Sequence, residues 1–225
     1  MYGFEKMFRS FKRKKININT VEIPDFGWIR ETNNSQVIEW VNPEETLFLS
    51  LHFFNIVPDF PTIQDIDFLR NFYREMLAAP GGGIIEVELV DLQGFTAVRT
   101  IFKIPQEPTG MTYVGSLTIP FAKYSFVAKI QAPEVGVTGM RDSVILDKHI
   151  REGDVSLEDD GIKGWFYDPY DVSIQEGTLM NKSEQSQYDE MFPEHPLSQT
   201  RRLLAHIEQE ISFGDELQTI AKFDR

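Results

Sequence analysis

Between Ile84 and Ile130 the chain holds four β-like segments in succession, and the first three each end in a break containing Pro or Gly. Ile85, Val87 and Leu89 alternate with Glu86 and Glu88, and Tyr124, Phe126, Ala128 and Ile130 alternate with Lys123, Ser125 and Lys129, the period-two pattern of a half-buried strand. The breaks at Gly94, Pro105 to Gly110 and Pro120 are too short for the crossover that a parallel pair needs. The segments therefore form an antiparallel meander. Upstream, Val37 to Val41 and Thr46 to Phe54 read as a hairpin around Asn42 to Glu45, and Ile16 to Ile23 is a candidate strand. In the second hairpin strand both faces are largely apolar, which predicts a central strand covered on both sides. On it His52 reads as a hydrogen-bonded core residue rather than a metal ligand.

The pattern predicts a helix over 62–79, with Thr62 as its cap and Ile66, Leu69, Tyr73, Met76 and Leu77 as its apolar stripe. Pro80 and the glycines 81–83 end it. A phosphate loop needs a strand before the glycines and a helix after them, and here the order is reversed. The fold class read from these elements is α+β: a mainly antiparallel six- or seven-stranded sheet flanked by helices. Its domain plan has a basic segment (1–15), a sheet domain (16–153), and an acidic, aromatic-rich arm with a C-terminal helix (154–225) packed on that domain.

Charge divides the chain unevenly. The net charge is −13, yet residues 1–15 carry six Lys or Arg and one acid, while residues 152–225 carry seventeen acids and six bases. An acidic body argues against nucleic acid as a partner, because phosphate contacts need a basic face. Phe4, Met7, Phe8 and Phe11 make an apolar stripe among the N-terminal bases. The Phe side chains are expected to cover this protein's own core or that of a second copy, with an anionic membrane surface as the alternative. No apolar run approaches the roughly 18 to 20 residues that span a bilayer, and no secretory-type apolar stretch opens the chain. With no cysteine, disulfides, thiolate nucleophiles and Cys-based zinc sites are excluded, and the sequence is read as that of a soluble, cytoplasmic protein.

No nucleophile elbow, zinc-protease helix, Walker loop or dinucleotide fingerprint is present, so the sequence calls for no cofactor and no metal. Glu86 and Glu88 read as the solvent face of a strand. Past the meander, Glu134 and Arg141 flank Gly136 and Gly139; an Arg at such a corner binds a carboxylate or phosphate, or pairs with a nearby acid to fix the corner. Asp142 to His149 forms a short helix or a closing strand. In the arm, Trp165, Tyr167 and Tyr170 are candidate contact residues, since exposed aromatics anchor interfaces. The function expected is a non-enzymatic protein-binding or adaptor role with an unnamed protein partner. The rival is a hydrolase or transferase with a dispersed site near Glu134, Arg141 and His149.

The order of N-terminal strands, helix, meander, GVTG turn and closing helix, with the paired stretches YVGSLTIP and KYSFVAKIQAPE, resembles the Mog1/PsbP-like family over about Ile16 to Gly153. That resemblance implies an α/β/α sandwich and a partner-binding role.

Overall fold

The computed structural model describes residues 15–159 and 161–224. The expected burial of Phe4, Phe8 and Phe11 lies outside them. In chain order the elements are β1 (Val21–Glu22), β2 (Ile29–Asn33), β3 (Val37–Val41), β4 (Phe48–Phe54), α1 (Ile66–Ala78), β5 (Gly83–Leu92), β6 (Phe95–Pro105), β7 (Met111–Pro120), β8 (Ser125–Pro133), α2 (Met140–Glu152), β9 (Ser156–Glu158), β10 (Gly161–Lys163), β11 (Phe166–Tyr167), β12 (Met180–Asn181), α3 (Pro196–Glu210) and β13 (Ser212–Phe213).

Seven strands form one sheet in the order β2-β3-β4-β8-β7-β6-β5, and every neighbouring pair is antiparallel. The meander supplies β5 to β8, and the β3–β4 hairpin joins it along β8. Two register shifts occur in this sheet, one in β2 between Arg30 and Thr32 and one in β5 between Ile84 and Glu86. The second shift changes which way the side chains point. Ile85 joins the large cluster under α3, whereas Val87 joins the cluster under α1. Glu86 is consequently not on a solvent face: it is half-buried and pairs with Arg99 and Arg201.

One side of the sheet carries α3, which lies over β7 and β8 and buries Leu197, Leu204 and Ile207 against Tyr113, Leu117, Ala128 and Ile130. Each such side chain contributes about 1.5 to 3 kcal/mol of hydrophobic stabilisation. The approach is close because β7 has a glycine there: a Cβ on Gly115 would fall 2.5 Å from Thr200 Cγ2 and 2.8 Å from Leu204 Cδ1. The other side carries α1, whose Leu69, Tyr73 and Leu77 pack on Ile84, Val87, Val98 and Phe102 of β5 and β6.

Three further sequence expectations are corrected. The 62–79 helix begins later, because Asp65 rather than Thr62 accepts the capping bond, from the Phe68 N–H; Thr62 accepts from Gln64 in the turn before it. The candidate strand 16–23 is only the two residues of β1, paired with β13, because Asn17 and Thr20 cap each other and wind Ile18–Thr20 into a 3-10 turn. Strand β4 is packed by apolar side chains on one side only; on the other face only the small Ser50 is buried and His52 is half-buried. Leu49 and Leu51 are buried, while α1 stays over β5 and β6 and leaves Phe48 and Phe54 exposed.

Candidate functional site

The chain leaves β8 at Pro133 and turns through residues 134–139 into α2. Glu134 ties this corner together: one carboxylate oxygen accepts the Met111 N–H at 2.9 Å, and the other accepts the Gly139 N–H at 3.2 Å. Gly139 sits in the left-handed region, with φ of +71°, and so caps α2 without the strain a side chain would bring. On the far side, His195 starts α3. Its Nδ1 accepts the Leu197 N–H at 3.2 Å, which leaves the ring proton on Nε2, 3.5 Å from Glu134 Oε1. Burial pushes the Glu134 pKa up, but the His195 contact and the two backbone N–H donors outweigh it, and the net shift is downward.

Between this corner and the start of α3 runs a groove of about 370 Å³. Leu47, Pro133, Phe192 and Pro196 give it apolar walls, and Glu134, Arg141 and His195 also line it. Its rim is unusual. Val135, Val137 and Met140 are 60%, 79% and 58% exposed, although all three are apolar and adjacent in the fold.

Arg141 is buried beneath the groove with every guanidinium nitrogen engaged. Nε donates to Ser183 O at 2.7 Å, Nη1 to Ser198 Oγ at 2.8 Å, and Nη2 to Gln185 O and Asp189 Oδ1, both at 3.0 Å. It thus joins α2 to the segment after β12 and to α3. Arg201 completes the junction through Asp189 and Glu86.

The arm aromatics lie elsewhere. Trp165 is buried with Ile145, Val155 and Tyr188, Tyr167 is half-buried in β11, and the Tyr170 hydroxyl accepts the Val87 N–H of edge strand β5. The Tyr170 ring also stacks under Arg70, whose Cζ is 3.6 Å from its centroid, and burial raises the Tyr170 pKa to about 12. His149 does not line the groove; its ring nitrogens face Asp154 at 3.2 Å and the Tyr188 hydroxyl at 2.9 Å. For a metal, the described residues offer His149, Glu152 and Asp154, with one ligand atom of each within 4.8 Å of the others. Lys148 Nζ already supplies positive charge there, 3.2 Å from Glu152.

The structure therefore brings Glu134 and Arg141 to one groove and leaves His149, Trp165, Tyr167 and Tyr170 outside it. Sequence reasoning missed His195 and the Val135, Val137 and Met140 rim. The available signal was the corner PEVGVTGM itself, where two valines and a methionine stand among turn residues instead of on a strand.

No family model matches the chain, and no curated protein does. Among solved structures, it is similar to the Ran-binding protein Mog1p of Saccharomyces cerevisiae, with 10% identity over 88% of this chain and 92% of that one and a TM-score of 0.45. It is similar to the cyanobacterial PsbP of Synechocystis, with 12% identity, 60% and 85% coverage and a TM-score of 0.37. It also matches a Bacteroides thetaiotaomicron structure at 13% identity with a TM-score of 0.33, covering 52% of this chain and spanning 39% of that chain's length.

Proposed function

We propose that this chain is a non-enzymatic protein-binding or adaptor domain, and that the groove beside the 134–139 corner is its docking surface. The observation that carries this reading is the exposed Val135, Val137 and Met140 rim beside an apolar groove. Exposing three adjacent apolar side chains forfeits burial free energy, and adjacent apolar exposure around a concave surface is the mark of an interface rather than of scattered surface residues. Glu134 and His195 hold the rim in place, so the surface is formed before a partner arrives. The full pairing of Arg141 and the placement of His149 outside the groove favour docking over a shared catalytic site. No helix among the described residues is long and apolar enough to cross a membrane. The lack of cysteine suits a reducing, cytoplasmic setting.

The test is parallel capture from the native host with the wild-type protein, V137D, and a control D159N, with co-purifying proteins identified by mass spectrometry. We expect one protein captured by wild type and D159N to be lost with V137D, at unchanged melting temperature. Identical capture by all three would overturn the assignment of the groove.

A further inference from the structure

The side of the sheet that carries α1 is only partly covered. Among the described residues, α1 packs on β5, and α3 packs on β7 and β8 from the opposite side, so β3, β4 and β8 have no helix over their α1-side face. The register places Val37, His52 and Val127 in one row of that face, and Glu39, Ser50 and Lys129 in the next. Phe48 and Phe54, at the two ends of β4, are exposed on it, and Ile56 and Val57 continue the exposed apolar surface beyond the strand. His52 joins this line: its ring stacks on Phe54 with centroids 5.7 Å apart, and its Nε2 is 2.9 Å from Ser50 Oγ. Burial and Lys129 hold its pKa below the ordinary histidine value, which keeps the ring uncharged at neutral pH.

The charges on this face decide what fits it. The chain carries a net charge of −13, yet β3, β4 and β8 put only two charged side chains here, Glu39 and Lys129. They stand on one row, a strand to either side of Ser50, and neither belongs to an ion pair among the described residues. Opposite charges placed symmetrically about a small central residue make the face complementary to itself. A two-fold axis running along β4, midway between two copies, carries β3 of one copy over β8 of the other. Each Lys129 then stands over Glu39 of the second copy, Val37 stands over Val127, and Ser50 meets its own equivalent where the sheets need least room. Packed sheets cross at about 30°, and at one strand spacing of about 4.8 Å from the axis that rotation displaces the charges by only about 2 to 3 Å, within the reach of a lysine.

We propose that two copies of this chain pair face to face through this surface, aligned on β4, with two Glu39–Lys129 contacts across a closed, isologous interface. The apolar side chains of β4 and the turn after it supply the buried area, and the charge pairs set the register. Three strands present roughly 15 by 20 Å per copy, an area that belongs with small, reversible interfaces, so dissociation falls in the micromolar range, at about tens to hundreds of micromolar. The face shares no residue with the docking groove, and the two readings stand or fall separately.

The experiment is sedimentation equilibrium of the full chain from about 10 to 500 µM, at low salt where exposed charge pairs are least screened. Wild type is expected to show a monomer–dimer equilibrium. Glu39 is exposed and Lys129 half-buried, so reversing either leaves the core intact. E39K and K129E each set like charges together at both contacts and should weaken association at least about tenfold. An equal mixture of the two variants supplies one copy with two bases and the other with two acids, and should recover a heterodimer of near wild-type affinity. A Glu39–Lys129 pair made within one chain would not be restored by mixing. Wild type that stays monomeric throughout, association unchanged by E39K and K129E, or a mixture as weak as its components would each overturn the proposal. So would a dimer abolished by V137D, which places self-association on the docking groove, or a dimer formed only by F4S/F8S/F11S, which gives the face to the chain's own first segment.

Discussion

Lys103 Nζ lies 2.7 Å from Glu184 Oε2, and the two side chains are 3% and 1% exposed. The Tyr113 hydroxyl donates to the other Glu184 oxygen at 3.1 Å, and the Asn181 N–H donates to Oε2 at 2.8 Å, so the carboxylate is fully provided with donors. Removing one member of such a pair strands the other charge. E184A is expected to lower stability by about 3 to 5 kcal/mol, whereas the double variant K103M/E184L loses less than either single change. Urea denaturation of E184A, K103M, E184L and K103M/E184L measures this; a double variant less stable than K103M or E184L alone would contradict it.

Arg141 bonds two carbonyls, a hydroxyl and a carboxylate at angles that an ammonium cannot reproduce. R141K is expected to cost about 2 kcal/mol or more, since it keeps the charge but leaves buried carbonyls unpaired. The loss should appear as faster amide hydrogen exchange in residues 181–189 before it appears in the sheet.

Three carboxylates have depressed pKa values: the exposed Asp171, through the bonds it accepts from Ser173, and the partly buried Asp168 and Glu134. Burial raises that of Asp168, but bidentate pairing with Arg74 and the N–H groups of Tyr170 and Asp171 outweigh it; Glu134 is lowered as described above. A depressed folded-state value means that the stabilisation is complete above the unfolded-state value and is lost as pH falls through the folded one. Melting temperature should therefore hold from neutrality down to about pH 4.5 and fall below it, the ordinary Asp and Glu values being about 4. In E134Q and D168N the fall should be shallower, from a lower starting point. Thermal melts between pH 7 and pH 2.5 provide the comparison.

Gly115 should tolerate no side chain. G115A sets a methyl against Thr200 and Leu204, and either α3 lifts from β7 or its side chains leave their rotamers, at about 1 to 3 kcal/mol. Pairing G115A with L204A should recover part of the loss in chemical denaturation, because the second change removes one of the two clashing groups.

The sheet was legible because the alternation from Tyr124 to Ile130 in β8 is simple and the breaks between the segments of the meander are short. What alternation could not convey was the shift at Ile84 to Glu86, which turns Ile85 and Val87 to opposite sides although they are two residues apart. The open side of β4 was equally hidden, since Phe48 and Phe54 look like core residues until the position of α1 is known. At the groove, Glu134 and Arg141 were visible as charges beside glycines. His195 was not, because it lies sixty-one positions from Glu134 and meets it only through the packing of α3 on β7 and β8.

The two irregular strands of the sheet, β2 and β5, are also its two outermost. An outer strand offers unpaired N–H and C=O groups to any other chain, and a flat, regular one invites endless edge-to-edge growth. Here the kink in β2, the charges of Arg30 and Glu31 beside it, and the Tyr170 hydroxyl that takes the Val87 N–H of β5 spoil both templates. The same irregularities that obscure the pattern in the sequence leave the outermost strand on either side a poor template for an eighth.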